Sequence, residues 1–177
     1  MNRNIALFRA INVGGKNSLP MKDLVKILET LGYQNIKTYI QSGNVVFSSK
    51  KKIGEKEQRK IGIEILDRKG FEPKVVFLDP GQLQKAIKDN PFPIDNGKIL
   101  HFFFLESHPQ NPDLERLASL KTSSEKFKLS ESVFYLYAPD GLGRSKLAAA
   151  VEKSIGVPVT ARNWNTVSQI AAMCEGL

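Results

Sequence analysis

The segment 36–48 constrains the fold most, because apolar and polar residues alternate along it on both sides of a Ser42-Gly43 pair. A period of two is typical of β-strands with one apolar face. Ser-Gly between two such runs indicates a two-residue hairpin turn, and glycine can take the positive φ that this turn requires. We therefore predict a tight β-hairpin with Gly43 at positive φ.

The register of this hairpin predicts which side chains share a face. With a two-residue turn, Ile40 lies opposite Val45 on the buried side, and Gln41 lies opposite Asn44 on the other side. Two amide side chains beside a glycine turn either brace the turn or bind a ligand. The pattern leaves both alternatives open.

The first half of the chain has strand-like and helix-like patterns in the order β-α-β-β-α-β, which is the order of ferredoxin-like folds. Right-handed crossovers place both helices on one face of such a sheet and leave the other face either open or covered by the second module; the sequence does not decide between the two. The predicted elements are a strand at Asn4–Ile11, a helix from Pro20 to Gly32, the hairpin, a helix at Glu55–Lys69, a strand at Lys74–Leu78 and a short helix from Asp79.

A proline-rich segment, Asn90-Pro91-Phe92-Pro93, divides the chain into a module at 1–90 and a module at 91–177. The second module opens with Lys98–Glu106, whose unbroken apolar run is typical of a strand buried on both faces. A helix from Asn111, a hairpin at 125–138 and two final helices follow. We therefore predict an α+β protein in which a ferredoxin-like βαββαβ N-terminal module packs with a second, smaller α+β module.

The charge and composition restrict the classes of function. The net charge of +8 and the pI near 9.6 favour an anionic partner such as a nucleic acid, a nucleotide or an acidic lipid. A single cysteine, Cys174, excludes an intramolecular disulfide and a cysteine-cluster metal site. The longest apolar run, Ile99–Leu105, is too short to span a bilayer, and no secretory signal is visible. We expect a cytoplasmic protein with no membrane segment, no metal and no cofactor.

The sequence contains none of the GxSxG, HExxH, CxxC or GxGxxG motifs. His101 lies within an apolar strand pattern, which is typical of a core residue. His108 precedes Pro109 and has no partner at ligand spacing. A histidine-based hydrolase or metal enzyme is therefore not predicted.

Two glycine-rich loops carry cations. The loop 13–16, VGGK, connects a predicted strand to a helix, where backbone N–H groups and the helix dipole favour an anion. The loop 141–146, GLGRSK, repeats this arrangement in the second half. Neither loop fits the phosphate-loop motif, but the occurrence of both in one chain favours an anion site.

A third polar cluster, Arg162-Asn163-Trp164, precedes the last helix. Asn163 is suited to cap that helix. Trp164 is more typical of a core anchor than of a base-stacking platform, whereas Arg162 lies outside the helix start and is better placed to bind a ligand.

Four ordered motifs, LFRAINVGGKNSLPM, LGYQNIKTYIQSGNVVF, GRSKL and ARNWNTV, together resemble the bacterial family catalogued as domain of unknown function 1697. The resemblance runs nearly end to end and implies two α+β modules, of which the first is ferredoxin-like. It implies no activity, cofactor or catalytic residue. Its signature covers Arg9, Asn12, Gly14, Gly15, Asn17, Gln41, Ser42, Gly43, Asn44, Arg162, Asn163 and Trp164.

The leading hypothesis is a protein that binds a phosphorylated ligand, either a nucleic acid or a nucleotide. Cations would hold phosphate, amides would donate directional hydrogen bonds, and Phe8 or Tyr39 on the open sheet face would stack on bases. The alternatives are an enzyme on a small phosphorylated or acyl substrate without a histidine or cysteine nucleophile, and a structural or protein-interaction module. The sequence does not determine the oligomeric state. The candidate ligand-binding residues are Arg9, Asn12, Gly14, Gly15, Lys16, Asn17, Gln41, Ser42, Asn44, Arg144, Lys146, Arg162 and Asn163.

Topology predicts where the first two motifs lie. The loop 12–17 follows the first strand, and the strand after Gly43 is the antiparallel neighbour that begins at the same end. We therefore expect the loop 12–17 and the turn 41–44 at one edge. Arg162 is expected there too, because an arginine beside a helix start needs acceptors.

Overall fold

The structure, a computed structural model, describes residues 1–176. This part of the chain is α+β, as predicted, and no helix in it is long and apolar enough to cross a membrane. The strands are β1 (Asn2–Arg9), β2 (Gln34–Tyr39), β3 (Asn44–Ser49), β4 (Lys74–Leu78), β5 (Leu100–Leu105), β6 (Lys126–Leu129), β7 (Val133–Tyr137) and β8 (Val159–Asn163). The α-helices are α1 (Met21–Thr30), α2 (Glu55–Lys69), α3 (Pro80–Lys88), α4 (Leu114–Leu120), α5 (Lys146–Ile155) and α6 (Trp164–Glu175).

The chain forms two compact units. Unit 1 contains Met1–Gln84 and the residues from Gln169 onward, and unit 2 contains Lys85–Ser168. The sequence-based division assigned all of 91–177 to the second module, whereas α6 begins in unit 2 and ends in unit 1. The proline-rich segment 90–93 follows the end of α3, where prolines prevent a helix from continuing, and it lies inside unit 2.

The sheet of unit 1 has the strand order β2-β3-β1-β4, and all neighbouring strands are antiparallel. Since β1 runs opposite to both β3 and β4, the end of β1 lies beside the starts of β3 and β4. The start of β1 lies beside the ends of β3 and β4, at the opposite end of the sheet.

The β2-β3 hairpin has a different register from the predicted one. Tyr39 pairs with Asn44, so the turn contains the four residues 40–43 rather than two. Ile40 has a φ of 50° and is 51% exposed, although the sequence places it in the core. A residue at positive φ cannot continue an extended strand, and β2 therefore ends before Ile40. The predicted positive φ of Gly43 is correct, at 81°.

Both faces of the central strands of unit 1 are buried. On one face, Phe8 and Phe47 belong to a core that includes α1 and α2. On the other face, Ile5, Leu7 and Val46 are fully buried. Of the two alternatives that the sequence left open, the structure shows a covered face at the central strands, and Phe8 is not available for stacking on a base.

The sheet of unit 2 is also antiparallel, with the strand order β6-β7-β5-β8. The six residues of β5 are all buried, which confirms the predicted strand with two covered faces. The edge strand β8 is absent from the prediction, because its sequence VTARN has only one large apolar residue.

Candidate functional site

Two loops of unit 1 meet at the end of the sheet where β1 finishes, and together we call them the ridge (residues 10–18 and 40–43). Asn12 joins them, because its Nδ2 donates to Gln41 O at 2.9 Å. The same amide also donates to Leu19 O at 2.8 Å and accepts from Leu19 N at 2.7 Å. One side chain thus fixes both loops, and the expected proximity of the loop 12–17 and the turn 41–44 is confirmed.

The loop 12–17 is a small hairpin of its own. Gly14 and Gly15 have φ values of 59° and 72°, and Lys16 N donates to Val13 O at 3.1 Å. Two adjacent positive φ values are what a type I′ turn requires. A glycine pair at the tip of a hairpin does not lie at a helix start, and α1 begins only at Met21. The predicted effect of the helix dipole on this loop is therefore wrong.

Backbone strain concentrates in the ridge. Among the described residues five non-glycine residues have positive φ, and four of them lie in the ridge: Ala10, Asn12, Asn17 and Ile40. Asn17 Nδ2 donates to Ala10 O at 3.1 Å. Asparagine tolerates positive φ, but at Ala10 and Ile40 this conformation costs about 1–3 kcal/mol each, and strained residues of this kind cluster at functional sites.

The turn 40–43 packs closely on β1. A Cβ added to Gly43 would lie 2.5 Å from Phe8 Cβ, so no larger residue fits there without movement. Asn44 is fully buried, and its Nδ2 donates to Tyr39 O at 3.0 Å and to Ser42 Oγ at 3.1 Å. Asn44 therefore braces the turn and is not accessible to a ligand, whereas the side chain of Gln41 is exposed.

The ridge exposes apolar side chains that the sequence patterns did not select. Val13 is 66% exposed and Ile40 is 51% exposed. A Cβ added to Gly14 or Gly15 would meet no atom within 4 Å, so the hairpin tip projects into open space. The sequence signal that would have found Val13 is its place beside a glycine pair, since a type I′ turn carries its flanking residues outward.

The ridge itself carries a positive charge, because Lys16 is its one ionisable side chain. Lys16 is exposed on the ridge. Arg9, the last residue of β1, lies opposite Lys74 of β4 in the strand register. Residues 1–22 and 30–54, which include the whole ridge, contain no Asp or Glu. The ridge segments therefore contribute one cation, Lys16, and several amides but no carboxylate.

The second glycine-rich loop folds differently from the first. A 3₁₀ turn at Leu142–Arg144 leads to Ser145, whose Oγ accepts from Ala148 N at 2.9 Å and caps α5. Arg144 and Lys146 on either side of the cap are exposed. This loop is the capped start of a helix, and in unit 2 its two cations stay candidate phosphate ligands.

The cluster 162–164 joins β8 to α6. Asn163 Oδ1 accepts from Thr166 N at 3.0 Å, which confirms the predicted cap. Trp164 lies against Phe102 with ring centroids 5.9 Å apart, so it is a core anchor. Arg162 Nη1 donates to Ala161 O at 2.8 Å, and burial lowers the pKa of Arg162 to about 10. Because the cluster belongs to unit 2, the approach of Arg162 to the ridge stays a prediction.

The histidines have no catalytic geometry. His101 is a buried residue of β5, as predicted, and its Nε2 has no hydrogen-bond partner among the described residues. Burial lowers the pKa of His101, so the ring is neutral near pH 7. His108 Nδ1 lies 3.4 Å from Glu131 O. The described residues contain no cluster of three or more His, Cys, Asp or Glu that could hold a metal ion.

Comparisons with known proteins identify the fold and a family. Residues 1–135 match the sequence model of a family described as "Protein of unknown function (DUF1697)". A solved structure, that of conserved bacterial protein SP0830 from Streptococcus pneumoniae, is similar over 98% of each chain with a TM-score of 0.70 and 22% sequence identity. At that identity the similarity concerns the fold alone. No curated protein matches the chain.

Proposed function

Since the chain belongs to the DUF1697 family of proteins of unknown function, we propose its function from its own surface: the ridge binds a groove of duplex nucleic acid. The observation that carries this proposal is a fixed, projecting loop pair that bears one cation, Lys16, and two exposed apolar side chains, with no carboxylate. Each of these features supports a different part of the interaction.

The shape of the ridge favours a groove over a small ligand. The tip at Gly14 and Gly15 projects into open space, so it cannot enclose a nucleotide. A two-stranded β-ribbon, in contrast, fits the major groove of B-form DNA. The Asn12 hydrogen bonds fix the two loops of the ridge before binding, and a rigid element loses less conformational entropy when it binds.

The charge of the ridge favours phosphate. Lys16 is positioned beside the tip, and the ridge segments carry no carboxylate to repel a phosphate backbone. Cations that contact phosphates release condensed counterions from the duplex, which makes affinity fall steeply with salt. The net charge of +8 for the whole chain acts in the same direction at longer range.

The apolar tips favour contact with bases. Val13 and Ile40 are too exposed to stabilise the core. In the major groove, apolar side chains contact the methyl group of thymine, while amides and cations form hydrogen bonds with the base edges. Asn17 and Gln41, both exposed, place amide groups beside the two apolar residues.

Fluorescence anisotropy tests the proposal with labelled duplex DNA, duplex RNA and single-stranded RNA at several salt concentrations. We expect a duplex to bind best and Lys16→Ala to reduce the slope of log K against log salt by about 1. Lys56→Ala is the matched control, because Lys56 is an exposed lysine of α2 outside the ridge. If single-stranded RNA binds as tightly as the duplexes, groove recognition is refuted. If Lys16→Ala and Lys56→Ala show the same affinity and salt dependence, the ridge is not the binding site.

A further inference from the structure

A cleft of about 730 Å³ lies in unit 1 at the end of the sheet opposite the ridge. The start of β1, the end of β4, the segment 52–58 and the start of α3 form its walls. Small-molecule sites in proteins typically have volumes of about 300–1,000 Å³. The cleft therefore has the size for a ligand such as a nucleotide.

One wall of the cleft is apolar. Ile53 and Phe77 line it and are half-buried, so part of each side chain faces the open space. Ile53 and Phe77 also pack against the core of unit 1, which holds them in place. An aromatic ring fixed in this way presents a surface on which a planar heterocycle can stack.

Buried polar side chains hold the lysine-rich segment 50–52 beside the cleft. Asn4 and Ser49 are only 5% and 4% exposed, and Asn4 Nδ2 donates to Ser49 Oγ at 2.8 Å. Ser49 Oγ in turn donates to Lys51 O at 2.5 Å. Two buried polar groups thus fix the backbone of an exposed cationic loop, which otherwise would be a mobile run of lysines.

The polar lining has a cationic side. Arg3 and Lys52 both line the cleft, and Gln58 adds an amide. Asp79 and Gln82 also line it, and together they cap the start of α3. Asp79 N donates to Gln82 Oε1, and Gln82 N donates to Asp79 Oδ1, each at 2.8 Å. The cap engages one oxygen of each side chain, and the Asp79 carboxylate can still accept a hydrogen bond from a ligand hydroxyl.

We propose that this cleft binds a nucleoside phosphate, with its phosphate at Lys52 and its base against Phe77. The ligand class follows from the combination of an anion-binding side, an aromatic wall and a carboxylate that suits a ribose hydroxyl. The proposal does not depend on nucleic-acid binding by the ridge, because no residue is shared between the two sites.

Isothermal titration calorimetry tests the proposal with the four common nucleoside monophosphates, with the matching nucleosides and with inorganic phosphate. We expect at least one monophosphate to bind, and to bind at least tenfold more tightly than its nucleoside and than phosphate alone. Lys52→Ala should raise the Kd of this monophosphate at least tenfold, because a charge-assisted hydrogen bond to phosphate is stronger than a hydrogen bond between neutral groups. Phe77→Leu should raise it as well while preserving an apolar wall.

Two lysine controls separate the sites. Lys56→Ala and Lys16→Ala should leave nucleotide affinity unchanged, because neither residue lines the cleft. The absence of heat with all four monophosphates, or binding by Lys52→Ala equal to wild type, would overturn the proposal. Binding of inorganic phosphate as tight as that of any monophosphate would also overturn it, because the aromatic wall would then contribute nothing.

Discussion

The two ends of the unit 1 sheet use the same residue types to build opposite shapes. At the ridge, Asn12 joins two loops by hydrogen bonds, and the apolar side chains of these loops are exposed to solvent. At the cleft, Asn4 and Ser49 hold a lysine-rich loop at the rim of a concave surface. In both places the amide contacts the protein itself. An asparagine-rich motif therefore predicts a fixed backbone, and the ligand contacts come from the exposed neighbours that this backbone positions.

The largest effect is expected for Gly43, where the ridge meets β1. Gly43→Ala places a Cβ 2.5 Å from Phe8 Cβ on a residue with a φ of 81°. Overpacking and positive-φ strain together should lower the free energy of unfolding by about 3 kcal/mol. Urea denaturation measures the loss.

Gly14→Ala is the matched control for this comparison. Gly14 also has positive φ, at 59°, but a Cβ there would meet nothing within 4 Å. Its cost should be that of strain alone, about 1 kcal/mol. If the two variants lose equal stability, contact with Phe8 does not constrain the turn.

The second prediction concerns the replacement of Asn12 and of Asn4 by alanine, each in a separate variant. Asn12→Ala leaves the backbone groups of Leu19 without their partner and should cost about 2 kcal/mol. Asn4→Ala should cost a similar amount, because Asn4 is buried and bonded to Ser49. The functional effects should differ: Asn12→Ala should weaken duplex binding alone, and Asn4→Ala should weaken nucleotide binding alone.

Thermal denaturation, anisotropy and calorimetry on both variants measure these effects. Loss of both binding activities in both variants, at a temperature where each is folded, would show that the two ends are not independent. The proposal that the ridge binds duplexes and the cleft separately binds nucleotides would then be wrong.

The sequence predicted much of the fold because its patterns are local. The positive φ of Gly43, the cap at Asn163 and the buried strand β5 each follow from a few adjacent residues. The predicted hairpin register was wrong because it assumed that Ile40 continues the strand. Ile40 instead has positive φ, although β-branched residues prefer an extended backbone.

The cleft was not predicted because no local pattern contains it. Its walls come from residues 1–4, 52–58 and 77–82, which are brought together by the pairing of β1 with β3 and β4. Without that register, Lys50–Lys52 has the pattern of an ordinary solvated loop. Hydrogen bonds such as that from Asn4 to Ser49 are equally invisible, since the partners lie far apart in the sequence.

The smallest effect is expected for Ile40, where strain and exposure coincide. A β-branched residue at a φ of 50° is strained, and asparagine tolerates this region far better. Because the side chain is 51% exposed, little packing is lost on replacement. Ile40→Asn should therefore raise the free energy of unfolding by about 1 kcal/mol.

The same substitution also tests whether the two ends of the sheet bind different ligands. If Ile40 contacts bases, Ile40→Asn should weaken duplex binding several-fold although the protein is more stable, and nucleotide binding at the cleft should not change. Thr38→Asn is a suitable control, because Thr38 lies in the regular part of β2, where asparagine is unfavourable. A variant at position 40 that is more stable and binds duplexes as well as the wild type would remove the functional reason for the strain. The ridge would then be a structural feature of the hairpin, and the cleft alone would remain as a binding site of unit 1.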